Sequence, residues 1–174
     1  MRFRYSSVLK ENGWFDERKW LDIRGNHDTF VQYGGIHPYK QHTVYGSSGK
    51  GSVYSSVYHT ESGDIQFIGI DANGPLYRHF NGFLVTKMLD SLELLLEDSK
   101  FFLIFILYVR IPTILFSHYP LFTIDQRAKS TKGHSLQDLI RIYKPLYYLC
   151  GHMHSALGGM IVILFLNYNV DSSL

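Results

Sequence analysis

The chain has 174 residues, of which 45% are hydrophobic, 16% aromatic and only 18% charged, with a formal net charge of +2. That composition suits one folded domain with a sizeable core and excludes intrinsic disorder. The charge is too small and too scattered to mark a nucleic-acid or anionic-membrane surface.

Cys150 is the only cysteine. It rules out an internal disulfide and a Cys-rich zinc site, and an odd thiol suits a reducing compartment. Met1 to Tyr5 is no secretory signal, because no apolar core follows its basic residues. In chain order, Tyr5 to Asn12 reads as a short helix stopped by Gly13. Lys19 to Arg24 ends in an apolar, strand-like stretch that delivers Gly25 to Asp28 into a turn. Phe30 to Tyr45 reads as irregular or partly helical. Gly46 to Gly51 is a turn whose spacing does not fit a Walker phosphate loop. Val53 to His59 and Asp64 to Asp71, joined by Glu61-Ser62-Gly63, read as a β-hairpin. Its Tyr54 and Tyr58 share a face and suit sheet packing better than base stacking.

Leu84, Met88, Leu89, Leu92, Leu95 and Leu96 recur at helical spacing, so Phe83 to Asp98 reads as an amphipathic helix. Thr113 to Ser117 is a strand and Ser135 to Tyr143 a helix, broken by Lys144-Pro145. Leu146 to Cys150 is a further strand. The apolar runs Phe101 to Val109 and Met160 to Leu166 fall well short of the about 20 residues a membrane span needs, so both read as buried strands. Helices between strands, with a hairpin, give a layered α/β sandwich. Without repeat or linker, residues 1–174 read as one domain.

Three apolar strands end abruptly in histidine. Leu21 to Arg24 leads to Gly25-Asn26-His27-Asp28. Thr113 to Ser117 leads to His118. Leu146 to Cys150 leads to Gly151-His152-Met153-His154. Ligands gather at the carboxyl ends of strands in open α/β sheets, so Asn26, His27, His118, His152 and His154 can share one rim. Imidazole nitrogens and amide oxygens suit Mn, Fe, Zn or Ni. Any one of these histidines alone is weak ground for a site; the three segments in this order are specific. Asp71 also ends a strand and reads as a turn cap. His37, His42, His59, His79 and His134 show no shared pattern, although His79 stands beside Arg78.

The three segments resemble the third, fourth and fifth motifs of the calcineurin-like metallophosphoesterases. The strings Trp20 to Phe30 and Tyr148 to His154, with Tyr77 to Phe83, are most similar to the transmembrane protein 62 branch. The resemblance covers roughly Tyr5 to Gly159, interrupted near Phe101 to Arg110. It implies an α/β sandwich of the metallophosphoesterase type and a metal-dependent phosphoester hydrolase. Asn26, His118 and His152 would ligate one divalent ion (Mn, Fe or Zn), and His154 would reach a second. His27 would stabilise the transition state or protonate the leaving oxygen, and Asp28 would orient its ring. The two ions would activate a water for in-line attack on a phosphoester.

The chain departs from that family in one respect. No Asp-x-His or Gly-Asp motif precedes Asn26, and neither Asp16 nor Asp22 sits in one. The expectation is therefore a partial domain lacking its N-terminal strands, with one weak metal ion or none and impaired catalysis. A truncated gene model would explain this. The alternative is a degenerate, non-catalytic module serving as a binding or soluble domain of a membrane protein. The resembled branch is membrane-bound, but no membrane span is expected in these 174 residues.

Overall fold

A computed structural model of the protein describes residues 2–16, 20–23, 25, 52–72, 82–99, 103–104, 107–108, 111–121, 128–152 and 162–165. Helix α1 spans Arg2–Glu11. Gly13, with φ of +65°, follows it, as a residue in the left-handed region commonly does at a helix end. Strands β1 (Val53–Thr60) and β2 (Gly63–Ile70) form the expected antiparallel hairpin. Gly63 carries its turn at φ of +121°. Helix α2 spans Gly82–Asp98, strand β5 Thr113–Ser117, helix α3 Leu136–Tyr143, strand β6 Tyr147–Cys150 and strand β7 Val162–Phe165. Two short strands, β3 (Leu103–Ile104) and β4 (Leu107–Tyr108), lie between α2 and β5.

The main sheet has five strands in the order β1-β2-β5-β6-β7. Strands β2, β5 and β6 run parallel, and β1 and β7 flank them antiparallel. Alternation along the strands divides the sheet into two faces. Ile68, Leu115 and Tyr148 align across one face and are fully buried. They join Val85, Met88, Leu89, Leu92 and Leu96 of α2 and Leu136, Leu139 and Ile140 of α3 in the core. The other face carries half-buried Phe67, Ile114 and Phe116. The layered α/β reading holds, with flanking helices on a mixed sheet.

Two expectations need correction. Leu21–Ile23 belongs to no strand. Leu21 and Ile23 instead pack with Tyr54 and Phe116, and the Asp22 carbonyl accepts the Tyr54 hydroxyl at 2.8 Å. The segment lies against a sheet face, so its apolar residues find cover without ladder hydrogen bonds. Gly69 makes this possible. A Cβ there would stand 2.4 Å from Tyr54 Cε1 and 2.7 Å from Phe116 Cζ, so the two rings meet edge to face across the bare glycine.

The run Phe101 to Val109 is not one buried strand either. Its described residues form a separate antiparallel ribbon, β3 on β4. An apolar run without turn residues does not distinguish one strand from two short ones. The expected segments Phe30 to Tyr45 and Gly46 to Gly51 lie outside the described residues.

Helix α3 is closed at both ends by its own sequence. Ser135 is its N-cap, accepting from the Asp138 N–H, while the Asp138 carboxylate accepts from the Ser135 N–H at 3.0 Å. This is a reciprocal capping box. The two bonds from Ser135 hold the Asp138 carboxyl below its ordinary value. At the other end Lys144 takes the left-handed conformation, φ 49°, and its N–H reaches the Ile140 carbonyl.

Candidate functional site

The parallel register fixes where the candidate histidines emerge. Ile70, Ser117 and Cys150 align as the last row of β2, β5 and β6. Asp71, His118 and Gly151 are the next residues on each chain, and His152 follows Gly151. The rim is pinned by a hydrogen bond from the Gly151 N–H to the His118 carbonyl, 3.1 Å.

His118 and His152, predicted from sequence to share a rim, do meet. His118 Nε2 lies 3.1 Å from His152 Nδ1. Their rings are 5.0 Å apart and nearly perpendicular, and both residues are half-buried. His152 reaches this position with φ of 72°. That left-handed conformation is uncommon for residues other than glycine and is concentrated at functional sites.

The pair fits a divalent cation by one test. Nitrogen ligands bound at about 2.0–2.1 Å and separated by about 90–109° stand about 2.8–3.4 Å from each other. The observed separation falls within that span. It also fits an N–H···N hydrogen bond, so the same two nitrogens can share a proton or a cation. Imidazole nitrogens suit Mn, Fe or Zn.

Asp71 follows β2 on the same rim and is buried, and its N–H donates to the Ser52 carbonyl at 2.7 Å. Among the described residues, no group of three or more His, Cys, Asp or Glu side chains converges on one point. Asn26, His27, Asp28 and His154 lie outside the described residues, as do His37, His42 and His79. Cys150, the residue before Gly151, is buried, and burial raises its thiol above the ordinary value. It is therefore a neutral thiol at neutral pH, not an activated nucleophile.

Sequence reasoning missed two groups of residues. The first surrounds the histidine pair. The Tyr119 ring stands 5.0 Å from the His118 ring and 4.8 Å from the His152 ring. Tyr148, fully buried, donates its hydroxyl to the Tyr119 carbonyl at 2.9 Å. An aromatic residue directly after the strand-end histidine was the available signal.

The second lies on the helical layer. Asp90, Glu93 and Glu97 share one face of α2 and hold the loop that leads into α3. Asp90 accepts from the Thr131 N–H and hydroxyl at 2.7 and 3.0 Å. Glu93 Oε1 meets His134 Nδ1 at 2.8 Å. Glu97 pairs with Lys132 and accepts the Tyr143 hydroxyl. His134, unassigned in the sequence, is therefore a structural partner of Glu93. The acidic stripe at helical spacing was its signal.

The model of the calcineurin-like phosphoesterase family matches residues 3–156. Transmembrane protein 62 of Mus musculus is 27% identical over 164 residues, which cover 92% of this chain and 23% of that protein. An Arabidopsis thaliana protein named as a metallophosphoesterase is 30% identical over 167 residues, 87% of this chain and 20% of its own length. The chain thus spans about a quarter or less of the length of these curated relatives. No solved structure gives a significant match. The family match over most of the chain agrees with the mixed α/β sheet and the histidines at its rim. The chain belongs to the calcineurin-like phosphoesterase family.

Proposed function

We propose that the chain is a metal-dependent phosphoester hydrolase domain. The observation that carries this reading is the His118–His152 pair, set on adjacent parallel strand ends of a chain in this family. In this reading Asn26, His118 and His152 hold one divalent ion, and His154 serves a second. A bound divalent cation supplies an acidified water and neutralises charge on the phosphoryl oxygens. The chain's own part is positional and protonic. His27 gives a proton to the departing oxygen, and the Asp28 carboxylate holds the ring in the required tautomer.

This donor set contains no carboxylate. Neutral donors offset little of the repulsion between two cations held close together, so one weakly bound ion and slow turnover are expected of this chain. Substitution of His27 tests the assignment. His27→Ala should slow hydrolysis of an activated phosphodiester about 100-fold or more, with metal content unchanged by mass spectrometry. Loss of metal instead would place His27 among the ligands.

A second reading is a non-catalytic module of a membrane protein. It draws on the name of the Mus musculus relative. Among the described residues, no helix is long and apolar enough to cross a membrane. Metal binding without turnover in the unsubstituted chain would favour this second reading.

A further inference from the structure

The histidine pair is held by more than its own strands. The backbone of Tyr119 is gripped on both sides by side chains of the sheet. Its N–H points to Ser117 Oγ at 3.4 Å, and its carbonyl accepts the Tyr148 hydroxyl at 2.9 Å. Ser117 is itself fixed, donating its hydroxyl to the Ile70 carbonyl at 3.0 Å. The clasp therefore ties the ends of β2 and β5, through Ile70 and Ser117, and Tyr148 within β6 to the residue that follows His118. All of its members are buried.

The ring of Tyr119 does not simply fill the core. It lies edge-on to His118, with planes 78° apart, and tilted by 51° against His152. A ring in contact with both imidazoles limits the rotation of each. Rotation about χ2 is soft for histidine, with broad wells. Two imidazoles on a rim would otherwise sample many separations of their nitrogens.

We infer that Tyr119, clasped by Tyr148 and Ser117, is a positioning residue that sets the mutual orientation of His118 and His152 and thereby their affinity for a divalent cation. The metal part rests on the function proposed above; the orientation part does not. The contacts require the ring of Tyr119 and the hydroxyl of Tyr148. Tyr119→Phe should therefore behave like the parent, and Tyr119→Leu should not. Tyr148→Phe keeps the buried ring and removes only the donor.

The test uses the full chain. Zn and Co titrations would be followed by calorimetry and by the cobalt absorption bands. Imidazole nitrogen and proton resonances would be recorded on the metal-free chain, with melting curves as the control for folding. Loss of an outer partner of a metal-binding histidine weakens metal affinity about 10–100-fold. Tyr119→Leu and Tyr148→Phe should fall in that range, with altered His118 and His152 resonances. Tyr119→Phe should restore both the resonances and the affinity. Unchanged imidazole resonances in folded Tyr119→Leu and Tyr148→Phe would overturn the inference. If the parent chain binds neither metal, the proposed metal site fails, and the resonances alone decide whether the clasp orients the pair. If the resonances shift but affinity holds, the link to affinity is refuted.

Discussion

Two residues other than glycine, among those described, adopt the left-handed backbone conformation, and they do so for different reasons. Lys144, φ 49°, closes helix α3 and sends its N–H to the Ile140 carbonyl. Its conformation serves only the chain reversal before Pro145, a place where glycine is usual. His152, φ 72°, closes no helix. It follows Gly151 at the end of β6, and its ring meets those of His118 and Tyr119. At Lys144 the side chain is incidental to the conformation; at His152 the conformation delivers the side chain. The same contrast separates the two layers. The helical layer is held by caps and by the acidic stripe of α2, and the rim by residues grouped around two imidazoles.

Substitutions can separate these roles. The largest effect is expected at His152. His152→Gly keeps the backbone in a favourable state and removes the imidazole. Zinc affinity should fall by more than about 100-fold, the upper end of what outer-partner losses produce. The melting temperature should hold or rise. A clear drop in melting temperature with affinity retained would reverse the assignment.

Next is Glu93, whose side chain is buried with one oxygen on His134 and the other without a partner among the described residues. Glu93→Ala should lower unfolding stability by about 2 kcal/mol, the scale of a hydrogen bond to a charged group. Metal affinity should stay at the parent value. A matching loss of metal affinity would show that the latch on α2 and the rim act as one unit.

A smaller gain is expected at the helix end. Lys144→Gly should stabilise the fold by about 1 kcal/mol, the strain of a left-handed side-chain-bearing residue, in denaturant melts. No gain would mean that Lys144 makes compensating contacts.

The smallest effect is a pH dependence at Asp138. Its folded carboxyl titrates below the ordinary value because Ser135 donates to it. A depressed value contributes stability above the unfolded value and loses it as pH falls through the folded one. Asp138→Asn should therefore be less stable than the parent at pH 7, and the gap should close on acidification towards pH 3. A gap that is constant with pH would assign the effect to cap geometry alone.

Much of this arrangement was legible in local sequence. Thr113–Ser117 forms the strand that its sequence predicts, because β-branched and apolar residues fill it and Pro112 and His118 flank it. Ser135 to Tyr143 reads as a helix, and the structure begins it at Leu136 with Ser135 as its cap. The meeting of His118 and His152 followed from placing both at strand ends. Contacts distant in sequence were not legible. Leu21 to Ile23 has the composition of a strand, yet lies against Tyr54 and Phe116 because Gly69 clears the space. The Glu93–His134 contact joins residues 41 apart; the acidic stripe on α2 is visible in the sequence, but not which residue it meets. The clasp on Tyr119 depends on β5 and β6 being neighbours, which local pattern does not state.

Metal stoichiometry tests most directly whether His118 and His152 hold a divalent ion. The purified chain would be titrated with Mn and with Zn, beside a chain carrying His118→Ala and His152→Ala together. One weakly bound ion is expected, absent from the doubly substituted chain. Two tightly bound ions, or binding that survives the double substitution, would contradict that expectation and place the metal on residues other than the His118–His152 pair.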